Sequence, residues 1–113
     1  MKKLTSKIIV GALLVFCLAS WSARADDANT IWSSKCASCH GKDGKGGTMM
    51  GKKLGIKDLT DAGVQSALTD ADAAKNIKEG VTQDGKQVMK PFGDKLTDAD
   101  ITALVAKVRS FKQ

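Results

Sequence analysis

The sequence predicts an all-α fold. Three observations carry that prediction. A C-terminal stretch repeats its apolar residues at helical spacing, three copies of Leu-Thr-Asp-Ala read as helix starts, and no stretch shows a convincing strand alternation. The chain has 113 residues, of which 4% are aromatic and none is tyrosine. A single domain of that size and composition is short of the large side chains that fill a core, and such domains commonly need a staple or a bound group.

The chain opens on a leader. Lys2, Lys3 and Lys7 form a positive start, Ile8 to Ala19 an apolar run of 12, and Ala23-Arg24-Ala25 places small residues at −3 and −1 of a cleavage site after Ala25. The run is too short to span a bilayer, which takes about 20 apolar residues. Residues 1–25 are therefore expected to be a secretory signal peptide and residues 26–113 the domain, exported to the periplasm. Lys2, Lys3, Lys7 and Arg24 leave with the leader, so 14 basic residues face 12 acidic ones, a net of +2. The whole-chain pI of about 9.3 overstates the basicity, and no nucleic-acid partner is inferred. Cys17 leaves too, so Cys36 and Cys39 are the remaining thiols.

From Asp26 to His40 the pattern suits a short helix, with Ile31, Trp32, Cys36 and Cys39 near one face. Gly41, Gly44, Gly46 and Gly47 then break it and let the backbone turn tightly. The Leu-Thr-Asp-Ala copies begin at Leu59, Leu68 and Leu96, and each predicts Thr as N-cap, with Asp in the first turn. At the last copy, Thr97 and Asp100 approximate a capping box, and Leu96 with Ile101 forms a hydrophobic staple. Ile101, Leu104, Val105, Val108 and Phe111 draw the stripe of the final helix. Between Gly80 and Lys95 the helical pattern lapses, predicting an ordered loop around Pro91.

Both of the domain's cysteines and its only histidine fall within "CASCH", residues 36–40. Cys-x-x-Cys-His is the attachment signature of c-type haem. Two cysteines three apart on a helical turn face the same way, so both sulfurs can form thioethers with one haem edge, and the next residue offers its imidazole to the iron. The alternatives ask for more than the chain has. A structural zinc site takes about four ligands, and a thioredoxin-like dithiol wants a βαβ context. A structural disulfide between Cys36 and Cys39 stays open as an alternative in an exported chain, although so small a loop stabilises little.

The domain resembles the small, soluble, single-haem class I cytochromes c. The resemblance runs through "CASCHGKDGKGG", "GKKLGIKDLTD", "MKPFGDKLTDADI" and "ALVAKVRSF". It implies a class I cytochrome c fold, with N- and C-terminal helices crossing beside one covalently bound haem c held by Cys36 and Cys39. His40 takes one axial position on the iron. For the other, Met49, Met50 and Met89 all remain open on chain reach, since about nine extended residues span roughly 30 Å. The resemblance selects Met89, just before the proline and the last helix. His/Met ligation raises the potential and leaves no open position, which implies a one-electron carrier cycling between Fe(III) and Fe(II) and no enzymatic activity. Two rival readings are a five-coordinate haem that binds gas or peroxide, and a haem subunit held in a larger membrane redox complex.

The implied partners are redox proteins, acidic ones among them. Lys42, Lys45, Lys52, Lys53 and Lys57 offer a docking cluster, although exposed lysines are common on any surface. The chain is expected to be a monomer without stable membrane insertion after cleavage. Two departures from the family stand out. "GTMMG" lacks the proline whose carbonyl accepts the axial histidine N–H in many members, so a backbone carbonyl near Met49 or Met50 is expected to accept it. Ala28 and Lys107 stand where many members cross glycine and an aromatic, which implies a looser helix crossing.

Overall fold

In the computed structural model, the described residues are Gly11 and 23–113. The leader predicted over residues 1–25 therefore lies almost wholly outside them. Helix α1 (Ala23–Ile31) leads into a five-residue π-helical turn, Trp32–Cys36, and then into α2 (Ala37–His40). The N–H of Ala37 bonds to the carbonyl of Trp32, five residues back. This is the widened turn of a π-bulge, which places one extra residue in the helix. It turns the Cys-x-x-Cys-His segment by about 100° relative to α1, compared with an unbroken α-helix. Helical spacing alone did not anticipate that turn.

Gly41 ends α2 with φ +79°, and its carbonyl accepts the indole N–H of Trp32 at 2.9 Å. The loop that follows folds back on the helix, with Gly46 N–H donating to the His40 carbonyl at 2.8 Å. Helix α3 (Met49–Leu54) starts at Thr48, whose hydroxyl accepts from Gly51 N–H at 2.9 Å and donates to the Cys39 carbonyl at 2.8 Å. Gly51 is required there. A Cβ on it would lie 2.4 Å from the carbonyl oxygens of both Cys39 and Gly46.

The three predicted helix starts divide two to one. Thr69 caps α5 (Asp70–Glu79), and Thr97 caps α6 (Asp98–Ser110) within a complete capping box with Asp100. At the first copy the cap of α4 (Ala62–Ala67) is Asp61 instead of Thr60. Asp58 has already engaged Thr60, accepting from its N–H at 2.8 Å and its hydroxyl at 2.6 Å. That local turn removes Thr60 from capping duty.

The expected loop after Gly80 holds a small antiparallel hairpin, β1 (Val81–Gln83) and β2 (Lys86–Met89). Asp84 and Gly85, with φ +50° and +75°, make its two-residue turn. An Asp-Gly turn with both residues at positive φ suits the twist of paired strands. The other regular elements among the described residues are helices.

The core is one cluster. Trp32, Leu59, Ala73, Ile77, Ile101, Leu104, Val105 and Val108 are buried together, with Cys36, Met89, Phe92, Leu96 and Phe111 packed half-buried against it. Helices α1 and α5 both pack on α6. The predicted stripe of α6 faces inward, and Leu104 is only 1% exposed. The crossing is not loosened at Ala28, which is 4% exposed. Lys107 sets its ammonium 5.0 Å over the Phe111 ring.

Candidate haem attachment site

The site is built on the last turns of the first helical run. Cys36 closes the π-turn, and Cys39 and His40 lie in α2. Both thiols are free and half-buried. Burial pushes the Cys36 thiol up to about 11, with Lys35 opposing and Cys39 adding to the rise. Cys36 is thus an S–H group at neutral pH, a form that would supply both the sulfur and the hydrogen of a thioether to a vinyl group. No group of three His, Cys, Asp or Glu side chains able to hold a metal ion occurs among the described residues.

His40 is held below the usual histidine range by burial, so its imidazole is neutral, as an iron ligand must be. Its ring lies 5.5 Å from that of Trp32, which in turn lies 4.9 Å from Phe111. Phe111 sits over Gly44, where a Cβ would come within 2.7 Å of the phenyl ring. These contacts hold the imidazole against the core from one side. The Nδ1 atom of His40 is buried with no hydrogen-bond partner. This corrects the expectation of an accepting carbonyl near Met49 or Met50. The hydrogen bonds made there go elsewhere: Thr48 engages Cys39, and the His40 carbonyl is taken by Gly46.

Two free, half-buried thiols three positions apart, followed directly by a neutral imidazole, are a donor set that fits covalent haem. Cys36 and Cys39 would hold the group, and His40 would ligate its iron. The methionines separate by environment. Met49 is 90% and Met50 45% exposed, both at the start of α3. Met89 is half-buried, packed against the core cluster at the end of β2 and paired with Val81. Cys36 and Met89 thus border the same apolar cluster, although 53 positions apart.

Two contributors were missed in the sequence. By its spacing Trp32 is only an apolar helix residue, yet it fastens Gly41 with its N–H and backs His40 with its ring. Its place four residues before the first cysteine was the available signal. The π-turn at Trp32–Cys36 had no signal at all.

Residues 23–106 match the family model described as cytochrome c oxidase, cbb3-type, subunit III. Among solved structures, the c-type cytochrome KustC0563 is similar at 35% identity with a TM-score of 0.67, covering 76% of this chain and 98% of that one. A tyrosine-to-phenylalanine mutant of the same protein gives 36% identity and a TM-score of 0.65, covering 76% and 99%. No curated protein matches the chain.

Proposed function

Because the chain belongs to the family described as cytochrome c oxidase, cbb3-type, subunit III, whose c-type cytochrome domains carry covalently bound haem c and serve electron transfer, we propose that it is a diffusible periplasmic electron carrier with His/Met ligation. The bound haem supplies a one-electron ferric–ferrous couple. In this reading Cys36 and Cys39 form the thioethers, while His40 and Met89 fill the two axial positions. With both filled, no substrate reaches the iron, so the role is that of a carrier and not of an enzyme. Residues 1–25 direct export and are removed, leaving 26–113 as the working domain.

The observation that carries the reading is the contrast among methionines. A thioether ligand has to come from a side chain turned away from water, and Met89 is the one packed on the core while Met49 stands 90% exposed. Partners are redox proteins. Lys42, Lys45, Lys52, Lys53 and Lys57 are exposed in the stretch of chain that carries Met49 and Met50, a basic cluster suited to an acidic face.

The test is the oxidised absorption spectrum of the purified holoprotein and of Met89→Ala. A weak sulfur-to-ferric-iron charge-transfer band at the red end is expected in the wild type and absent from the variant. A wild type without that band has its sixth position open or otherwise filled, and the gas- or peroxide-binding alternative then takes precedence.

A further inference from the structure

The end of α5 and the segment carrying Met89 are built as one unit. The last carbonyls of a helix have no partner within it. Here Asn76 accepts from Gly80 N–H at 2.9 Å, Ile77 from Phe92 N–H at 2.9 Å, and Lys78 from Gly93 N–H at 3.0 Å. Two of those three bonds come from the residues just past Met89. The chain therefore leaves α5, makes the hairpin, and returns to cap the helix it left.

Gly80 is where the outgoing and returning strands touch. Its φ of +76° with ψ of −177° is a backbone region nearly reserved for glycine. A Cβ there would lie 2.5 Å from the Met89 carbonyl oxygen, 2.9 Å from Pro91 N and 3.1 Å from Lys90 C. All three are backbone atoms, so no side chain can swing aside to make room. Met89 also pairs across the hairpin with Val81, next to an irregularity in register between Val81 and Thr82. The backbone of Met89 is thus held on one side by Gly80 and on the other by the bonds of Phe92 and Gly93.

We propose that Gly80 is a positioning residue for Met89, its missing side chain letting the returning segment seat against the end of α5 so that the Met89 thioether is presented at a fixed place. The proposal rests on the reading of Met89 as the axial ligand. Gly93 plays a lesser part in the same seat, since a Cβ there would meet Lys78 O at 3.0 Å and Lys78 Cγ at 3.1 Å without positive-φ strain. Gly85 is the natural control. It shares the positive φ, at +75°, but has nothing within 4 Å of its would-be Cβ.

The experiment compares holoprotein wild type, Met89→Ala, Gly80→Ala, Gly93→Ala and Gly85→Ala by the red charge-transfer band, the reduction potential and far-ultraviolet circular dichroism. Gly80→Ala is expected to keep its covalent haem and helical signal, to lose most of the band, and to shift its potential toward that of Met89→Ala. Gly85→Ala is expected to keep both band and potential. A folded Gly80→Ala with wild-type band and potential overturns the proposal, as does an equal loss in Gly85→Ala, which would point to strain anywhere in the hairpin. Should Gly80→Ala not fold, Gly93→Ala decides: a weakened band supports the seat, and an unchanged one overturns it. A wild type lacking the band, or a band that survives Met89→Ala, is a distinct result that removes the ligand reading and this proposal together.

Discussion

Met49 occupies the first helical position of α3 and is 90% exposed, and its predecessor Thr48 is extended, with ψ of 162°. Two requirements of a proline are met at that place. The N–H of a first helical residue has no intrahelical acceptor, and the preceding residue already avoids the α region. Met49→Pro is therefore expected to stabilise the protein by about 0.4–1 kcal/mol through the unfolded chain's lost freedom, read as a higher urea midpoint; a lower midpoint would show that the Met49 N–H has a use. Beside it, Thr48 spends one hydroxyl on both the start of α3 and the carbonyl of Cys39, adding a side-chain tie to the backbone bond by which Gly46 holds the loop to the His40 carbonyl. The unpaired Nδ1 of His40 is a cost within the polypeptide, of the order of 1–3 kcal/mol for a buried polar atom.

Between elements, Arg109 joins α6 to the end of α4. Its guanidinium donates to the Gln65 carbonyl at 2.8 Å, to Gln65 Oε1 at 2.9 Å, to the Leu68 carbonyl, and to Asp70 at 2.7 Å. Gln65 is itself buried and donates onward to the Leu59 and Val108 carbonyls. The planar fork with five donors serves this arrangement, and the single ammonium of lysine does not reproduce it. Arg109→Lys keeps the charge and should still lose about 1–2 kcal/mol of stability in urea denaturation. An unchanged midpoint would mean that the charge alone matters. The hairpin belongs to this scale as well. It was legible in "QDGKQ", because Asp-Gly is a strong two-residue turn signal, but strands of three and four residues are too short to show alternation.

For the molecule as a whole, the core is thin. Among the described residues Leu104 alone is sealed below 2% exposure, and Cys36, Met89, Phe92 and Phe111 line the margin half-covered. A small domain with that little burial depends on what it binds. Haem-free protein, made as the Cys36→Ala/Cys39→Ala variant, is expected to lose much of its helical circular dichroism at 25 °C. Any remaining transition should fall at least about 10 °C below that of the holoprotein, since each lost kcal/mol moves a domain of this size by about 4–8 °C. A haem-free chain melting with the holoprotein would show that the polypeptide core suffices.

Local chemistry determined what the sequence by itself made readable. The stripe of α6 and the caps at Thr69 and Thr97 depend on residues within a few positions of one another, as does the crowding of Cys36, Cys39 and His40. The structure decided where local signals compete or are silent, and tertiary packing decided whatever depends on two distant segments meeting. Thr60 yielded the cap of α4 to Asp61, because a local turn with Asp58 competes on equal terms with the helix start. The π-turn sets the direction of the attachment segment and carries no composition signal, because it costs one backbone hydrogen-bond register and no particular residue. The methionines are equals in the sequence. Packing separates them, setting Met89 half-buried against a core cluster that gathers residues from Trp32 to Val108, and leaving Met49 in water.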